Sequence, residues 1–351
     1  MQTTKTLSLA VLSATSALAV SACGGSGGGG ADSGRDFVRA VGSSTLYPFA
    51  TVVAEQVAKA GGKSPVVEST GTGAGMKLFC AGVGAKHPDV ENASRRIKAS
   101  EYELCKKNGV TEIVEIQVGI DGIAFAEATS GSQIKLTPKI VYEALAANPY
   151  GKPNKAENWS DVDPSLPAIP ILVYGPPTTS GTRDALAELI LEKGCTTDPA
   201  MKALKDTDED KFKATCTGVR EDGKYVDGGE NDNLIVQKIA QNPKAVGVFG
   251  YSFLEENSDK LKGITMSGIA PTYETISDFS YPGARPLYIY VKKAHLQAIK
   301  GLSAYVAEWP KHWGPDGLLK KKGMVIAPDD VRAKNADAAA KMTLLDPAGL
   351  K

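Results

Sequence analysis

Three stretches of the sequence put small hydroxyl residues and glycine where an apolar run hands over to a segment of helical periodicity: GSST (42–45), TGTG (70–73) and TSGTR (179–183). The chemistry these residue types can do there is anion binding. A helix begins with about four backbone N–H groups that lack internal partners, at a positive dipole end worth about half a charge. Glycine lets an anion come close to the backbone, and each Ser or Thr hydroxyl adds one donor. Each such corner can equally be an N-cap serving its own helix, so one alone decides nothing. Three of matching chemistry, all following apolar runs, point to a shared oxyanion site, because strand ends of an α/β sheet open onto one crevice. Ser44 and Thr45 belong to the first corner, Thr72 to the second, and Ser180, Gly181 and Thr182 to the third.

Charged residues nearby refine the expected ligand. Arg95 and Arg96, in NASRRIK, can supply charge-assisted and bidentate bonds to an oxyanion, and Arg183 can face either the third corner or Asp184. Asp121, Asp184, Glu230 and Asp232 lie near the corners, with Asp232 the preferred candidate. Phosphate at neutral pH still carries a proton that a buried carboxylate can accept, whereas sulfate is repelled. Acids at helix starts also serve the dipole. Nucleotide motifs are absent: there is no GxxxxGK[ST], and TGTGAG lacks the dinucleotide spacing with its acidic partner. A hydrolase using Ser180 would need a base and an orienting group, yet there is no GxSxG elbow and no histidine close to the corner. The sequence calls for no catalytic residue, metal or cofactor.

The corners must be held by a repeating strand, turn and helix. Phe37 to Val41 leads into the first corner, after which Leu46, Phe49, Val53 and Val57 recur at helical spacing until Gly61 and Gly62. Pro65 to Glu68 leads into the second corner. Ser100-Glu101-Tyr102-Glu103 has capping-box form ahead of a helix that Gly109 closes, and Thr137-Pro138 starts another. Asn148 to Pro167 reads as a long ordered loop. Leu186, Leu189 and Ile190 share a helix face with Gly194 as its stop. Ile116 to Ala126 reads as a strand leaving a first domain, Val246 to Phe253 as a return strand, and Leu287 to Val291 as a further strand before a late helix marked by Leu296, Ile299 and Val306. This alternation predicts an α/β architecture with mainly parallel sheets. Two substructures follow: lobe I from 36–118 plus 255–351, lobe II from 119–254, joined by two crossing strands.

The first segment, MQTTKTLSLAVLSATSALAVSAC, has one basic residue, an apolar stretch and small residues before Cys23, which fits export rather than a membrane span. Val20-Ser21-Ala22-Cys23 matches a lipobox, so 1–22 is expected to be a lipoprotein signal peptide and Cys23 the lipidated first mature residue. A Gly/Ser-rich tether follows, the anchored segment spanning 23–35. The other four cysteines, Cys80, Cys105, Cys195 and Cys216, allow three connectivities. Local pairing is favoured, since each neighbouring pair falls within one substructure and an oxidising compartment preserves the bond. Zinc fits poorly, because no pair has C-x-x-C spacing and His87, His295 and His312 lack matching partners. With 40 basic and 40 acidic residues, and 39 against 40 once Lys5 of the signal is removed, the chain has no nucleic-acid footprint.

GSSTLYPF, STGTGAGMKLF, NASRRIKASE, GPPTTSGTRD, ENDNLIVQ and YPGARPLYIYVKK, in this order, resemble the PstS family, the phosphate-binding proteins of the phosphate-specific ABC transporter, over most of the chain from about Phe37. The resemblance implies a type II periplasmic-binding-protein fold, a monomeric clamp that closes over inorganic phosphate and delivers it to membrane permease subunits. By position it implies binding by Thr45 with the backbone of Leu46, by Thr72, and by Ser180, Gly181 and Thr182. The best-known members carry an aspartate where this chain has Arg95 and an arginine where it has Pro176, which implies that the positive charge has moved to Arg95 or Arg183. Sulfate or arsenate binding, and an exported phosphatase, are the alternatives.

Overall fold

The computed structural model describes residues 35–178, 180–229 and 232–350. Three short parallel strands form one wing of a sheet: β1 (Arg39–Gly42), β2 (Val66–Ser69) and β3 (Val90–Ala93), with β1 in the middle. The helices α1 (Tyr47–Lys59) and α2 (Thr72–Phe79) follow β1 and β2, and α3 (Ala99–Lys107) follows β3. The expected periodicity is what folds α1: Phe49, Ala50, Val53, Ala54 and Val57 lie on one buried stripe.

The second wing begins with the long strand β4 (Ile113–Ala128) and α4 (Pro138–Leu145), whose first turn is capped by Thr137 accepting from the Ile140 amide. It continues through β5 (Val173–Gly175), α5 (Gly181–Ala185), β6 (Tyr225–Asp227), α6 (Asp232–Gln241), β7 (Val246–Gly250), α7 (Tyr251–Glu256) and β8 (Leu261–Gly263). The strand β9 (Ala284–Lys292) returns to the first wing. The strands run β2-β1-β3-β9-β4-β7-β5-β6, with β8 paired to β4.

Each wing is parallel at its outer strands, as the alternation predicts. The middle is antiparallel, because β4 and β9 cross between the wings in opposite directions. Ile113 to Gly122 of β4 pairs with β9, and Ile123 to Ala126 pairs with β7. The expected strand at 246–253 is therefore β7 followed by a helix, within the second wing, and β9 makes the return crossing. In keeping with that, Leu261, Ile264, Met266, Ile276 and Tyr281 are buried in the same cluster as Phe125 and Phe249. A separate cluster joins α1 to Val114, Ile116, Leu287, Ile289 and the late helix α8 (Leu302–Glu308).

Other local differences have simple causes. The N-cap of α3 is Lys98, not Ser100, because Glu101 reaches back to the Lys98 amide at 2.9 Å. Gly194 lies inside a helical turn that packs on α4, where a Cβ would stand 2.2 Å from the Pro138 carbonyl oxygen. The stretch 148–167 contains a 3-10 turn at Pro149–Gly151 and a short helix at Trp159–Val162. Local pairing of the cysteines is realised: Cys80 bonds Cys105 and Cys195 bonds Cys216.

Candidate functional site

The first two corners meet at the carboxyl ends of β1 and β2. The Thr70 and Gly71 amides both donate to the Gly42 carbonyl at 2.8 Å, which seats the start of α2 beside the residue that opens the first corner. Gly42 has a φ of 127°, and a Cβ there would stand 2.2 Å from the Asn92 carbonyl oxygen, so only glycine passes this point. Gly75 approaches equally closely, its would-be Cβ 2.6 Å from the Gly42 Cα. Neither Leu46 nor Gly71, at the N-cap positions of α1 and α2, supplies a side-chain cap. Thr72 is buried and its hydroxyl accepts from the Ser94 amide at 3.1 Å and pairs with the Ser94 hydroxyl at 3.0 Å.

The third corner comes from the other wing and touches the first. The Thr45 hydroxyl donates to the Gly181 carbonyl at 3.2 Å, and a Cβ on Gly181 would lie 2.5 Å from the Thr45 Cα. Ser44 donates to the Asp184 carboxylate. Ser180 caps its own helix, accepting from the Thr182 amide at 3.2 Å. Ser44 and Thr45 of the first corner thus meet Gly181 of the third at the seam between the wings, with Leu46, Ser180 and Thr182 adjoining them in the chain, while Thr72 opens the neighbouring second corner against Ser94.

Arg285 supplies the positive charge at this seam. It stands on β9 opposite Asp121 of β4 and is 5% exposed. Its Nη2 donates to the Thr45 hydroxyl at 2.9 Å, its Nε to Asp121 at 3.0 Å and its Nη1 to Glu188. Burial pushes the Asp121 carboxyl above its ordinary value, with Arg285 opposing the shift. Burial likewise raises Asp184, against the hydrogen bond from Ser44, while the neighbouring Glu188 adds to the rise. One guanidinium therefore lies among three carboxylates: Asp121 and Glu188 accept from it, and Asp184, which accepts from Ser44, stands nearby. Such a set can bind an oxyanion through Arg285, hydroxyls and helix starts, and can exchange a proton with it.

The PBP superfamily domain matches residues 24–309 of this chain. The phosphate-binding protein PstS of Staphylococcus saprophyticus is 31% identical over 295 residues, covering 82% of this chain and 80% of that protein. The chain belongs to the PstS family. SphX of Synechococcus elongatus is 33% identical over 278 residues, covering 75% of this chain and 72% of its own length. A possible phosphate binding protein from Planctomyces limnophilus shares 29% identity and a TM-score of 0.69, with 87% of this chain and 98% of that one aligned. An ABC-type phosphate transport receptor from Vibrio cholerae, at 18% identity and a TM-score of 0.54, shares the fold over 83% of this chain and 100% of its own.

Within this PstS-family frame, the arginines expected from the sequence are otherwise engaged. Arg95 forms a bidentate pair with Glu101 at 2.9 and 2.7 Å. Arg183 lies over the Tyr225 ring, 4.4 Å from its centroid. Asp232 accepts from the Gly250 amide at 3.2 Å, where β7 passes into α7. Cys23, Thr179 and Glu230 fall outside the described residues. Arg285 was missed by reasoning from sequence, although it sits in the quoted stretch YPGARPLYIYVKK; the available signal was a lone arginine interrupting an apolar strand.

Proposed function

We propose that this chain is an extracytoplasmic binding protein that captures inorganic phosphate at the seam between its wings and delivers it to the permease of an ABC transporter. The observation that carries this reading is the Arg285 guanidinium bonded to Thr45 where corners from both wings meet. The phosphate-binding relatives support the choice of ligand. In this reading the two wings are lobes of a clamp that hinges on β4 and β9, Ser44, Thr45, the Leu46 backbone, Thr72, Ser180, Gly181 and Thr182 line the site, and Arg285 provides the charge. Asp184 and Asp121 are the carboxylates positioned to take the proton that distinguishes phosphate from sulfate. Arg95, Arg183 and Asp232 shape the surroundings through Glu101, Tyr225 and Gly250. The body is a monomer held to a membrane by lipid on Cys23 and a flexible tether; among the described residues no helix is long and apolar enough to cross a membrane.

Magnitudes suit scavenging. At a ceiling of roughly 1.5 kcal/mol per heavy atom, the five atoms of phosphate yield about 7.5 kcal/mol, near a micromolar dissociation constant, and charge-assisted bonds extend this. Isothermal titration with phosphate, sulfate and arsenate, beside a turnover assay on a phosphomonoester, tests the reading. Saturable phosphate binding, weak sulfate binding and no turnover are expected. Tighter binding of sulfate than phosphate, or steady hydrolysis, would overturn it.

A further inference from the structure

The acidic residue Glu188 has no place in the binding set, yet it bonds the one cation that does. It lies in the π-helical segment Leu186–Leu191 that continues α5, a helix distortion found disproportionately at functional sites. Asp184 and Glu188, four residues apart, both reach towards the seam, the first to Ser44 and the second to Arg285. The Asp121 partner of Arg285 is a structural necessity, since both side chains are nearly buried, 13% and 6% exposed. Glu188 is different: its side chain is 50% exposed, so water would solvate it without Arg285. An ion pair of that exposure contributes little to folding.

What Glu188 does is put a negative charge where positive charges converge. Besides Arg285, it acts on Arg95: burial works against the Arg95 charge, and Glu101 together with Glu188 more than offsets it. Its negative charge also adds to the upward shift that burial imposes on the Asp121 and Asp184 carboxyls. The Arg285 fork has its Nη2 on Thr45 and its Nε on Asp121, so the Nη1 side is where an oxyanion seated at Thr45 would take its second bond.

Resting on phosphate being bound at Arg285, we propose that Glu188 is an anionic placeholder: its carboxylate competes with the oxyanion for the Nη1 side of Arg285, weakening capture and easing release. Displaced by ligand, it needs no protein partner, because it is half in water. A clamp that must hand its cargo on gains from such a competitor, since affinity differences among related complexes reside mostly in the rate of release.

The test is titration of inorganic phosphate into wild type, Glu188→Gln and Glu188→Ala, with thermal unfolding measured without phosphate. Tightening in either variant by about five-fold, equivalent to about 1 kcal/mol, is expected, with an unchanged or lower unfolding temperature. A residue serving only structure would shift both quantities the same way, towards weaker binding and lower stability. Phosphate binding by wild type with no tightening in either variant overturns the placeholder role alone. Absence of phosphate binding by wild type removes the parent reading, and the placeholder with it.

Discussion

Replacing Arg285 by methionine removes the cation while leaving a side chain of comparable length in a nearly closed space. Two separate losses follow. The first is to stability: Asp121, bonded at 3.0 Å, keeps a buried carboxylate without its counter-charge. Breaking one side of a buried ion pair costs about 3–5 kcal/mol, less whatever Asp121 recovers by taking up a proton, which burial already favours. The second is to binding. Two charge-assisted bonds to an oxyanion, at about 1.5 kcal/mol each, amount to about 3 kcal/mol, or roughly 150-fold in dissociation constant. Pairing Arg285→Met with Asp121→Asn separates them, because the double variant buries no charge. It should regain most of the lost stability in chemical denaturation and none of the lost affinity in isothermal titration with phosphate. Arg285→Lys, which keeps the charge but not the fork, should fall between. A folded double variant that binds phosphate within about three-fold of wild type would refute the role given to Arg285, since one charge-assisted bond alone exceeds that margin.

Gly181→Ala places a methyl 2.5 Å from the Thr45 Cα, an overpacking of about 1–3 kcal/mol, so phosphate affinity should drop by about five- to 150-fold while small-angle scattering shows a wider molecule; unchanged affinity contradicts the contact between corners. Glu91 lies beneath Gly42 and Gly75 with both carboxylate oxygens buried and unpartnered, and burial holds its pKa well above the ordinary 4.5. The folded state then binds the extra proton, so stability declines as pH rises from about 4.5 through the folded value, and Glu91→Gln should flatten that decline in denaturation curves taken across the window. Lys292 has the opposite sign. Burial lowers it to about 7, so the unfolded chain holds the proton longer and stability rises with pH between about 7 and 10.5; Lys292→Met should abolish the rise.

The corners were legible because they obey local rules. Strand, glycine, hydroxyl and helix follow one another within a dozen or so residues, and the apolar spacing of Phe49, Val53 and Val57 fixes which face α1 buries. Charge was legible only where it is local. Arg95 and Arg183 look like ligands because they adjoin corners, yet Arg95 is paired with Glu101 in the first turn of α3, and Arg183 keeps its charge while its guanidinium stacks on the Tyr225 ring more than forty positions later. The first partnership could be anticipated from the capping role of Glu101; the second needs β6 to lie beside the corner, a matter of sheet order. Arg285 is the extreme case. Along β9 it reads as one polar position in an apolar strand, and what buries it is the crossing of β9 between wings, with residues 240 positions away in sequence closing over it. Long-range burial of that kind leaves no periodic trace.

The place of Arg285 on a crossing strand has a mechanical consequence. Asp121 and Arg285 are register partners on β4 and β9, the two strands shared by both wings, so in the proposed clamp their pair rides on the hinge. Thr45 belongs to the wing of β1, and Gly181, Asp184 and Glu188 to the wing of β5. A charge carried by either wing would move with that wing and reward binding to it alone. A charge on the hinge is equally near to both, so an anion held there is best satisfied only when hydroxyls and amides arrive from both sides. On the proposed function, the free energy that binds the ion is then the same free energy that brings the wings together, and the side that fails to arrive leaves its share of bonds unmade.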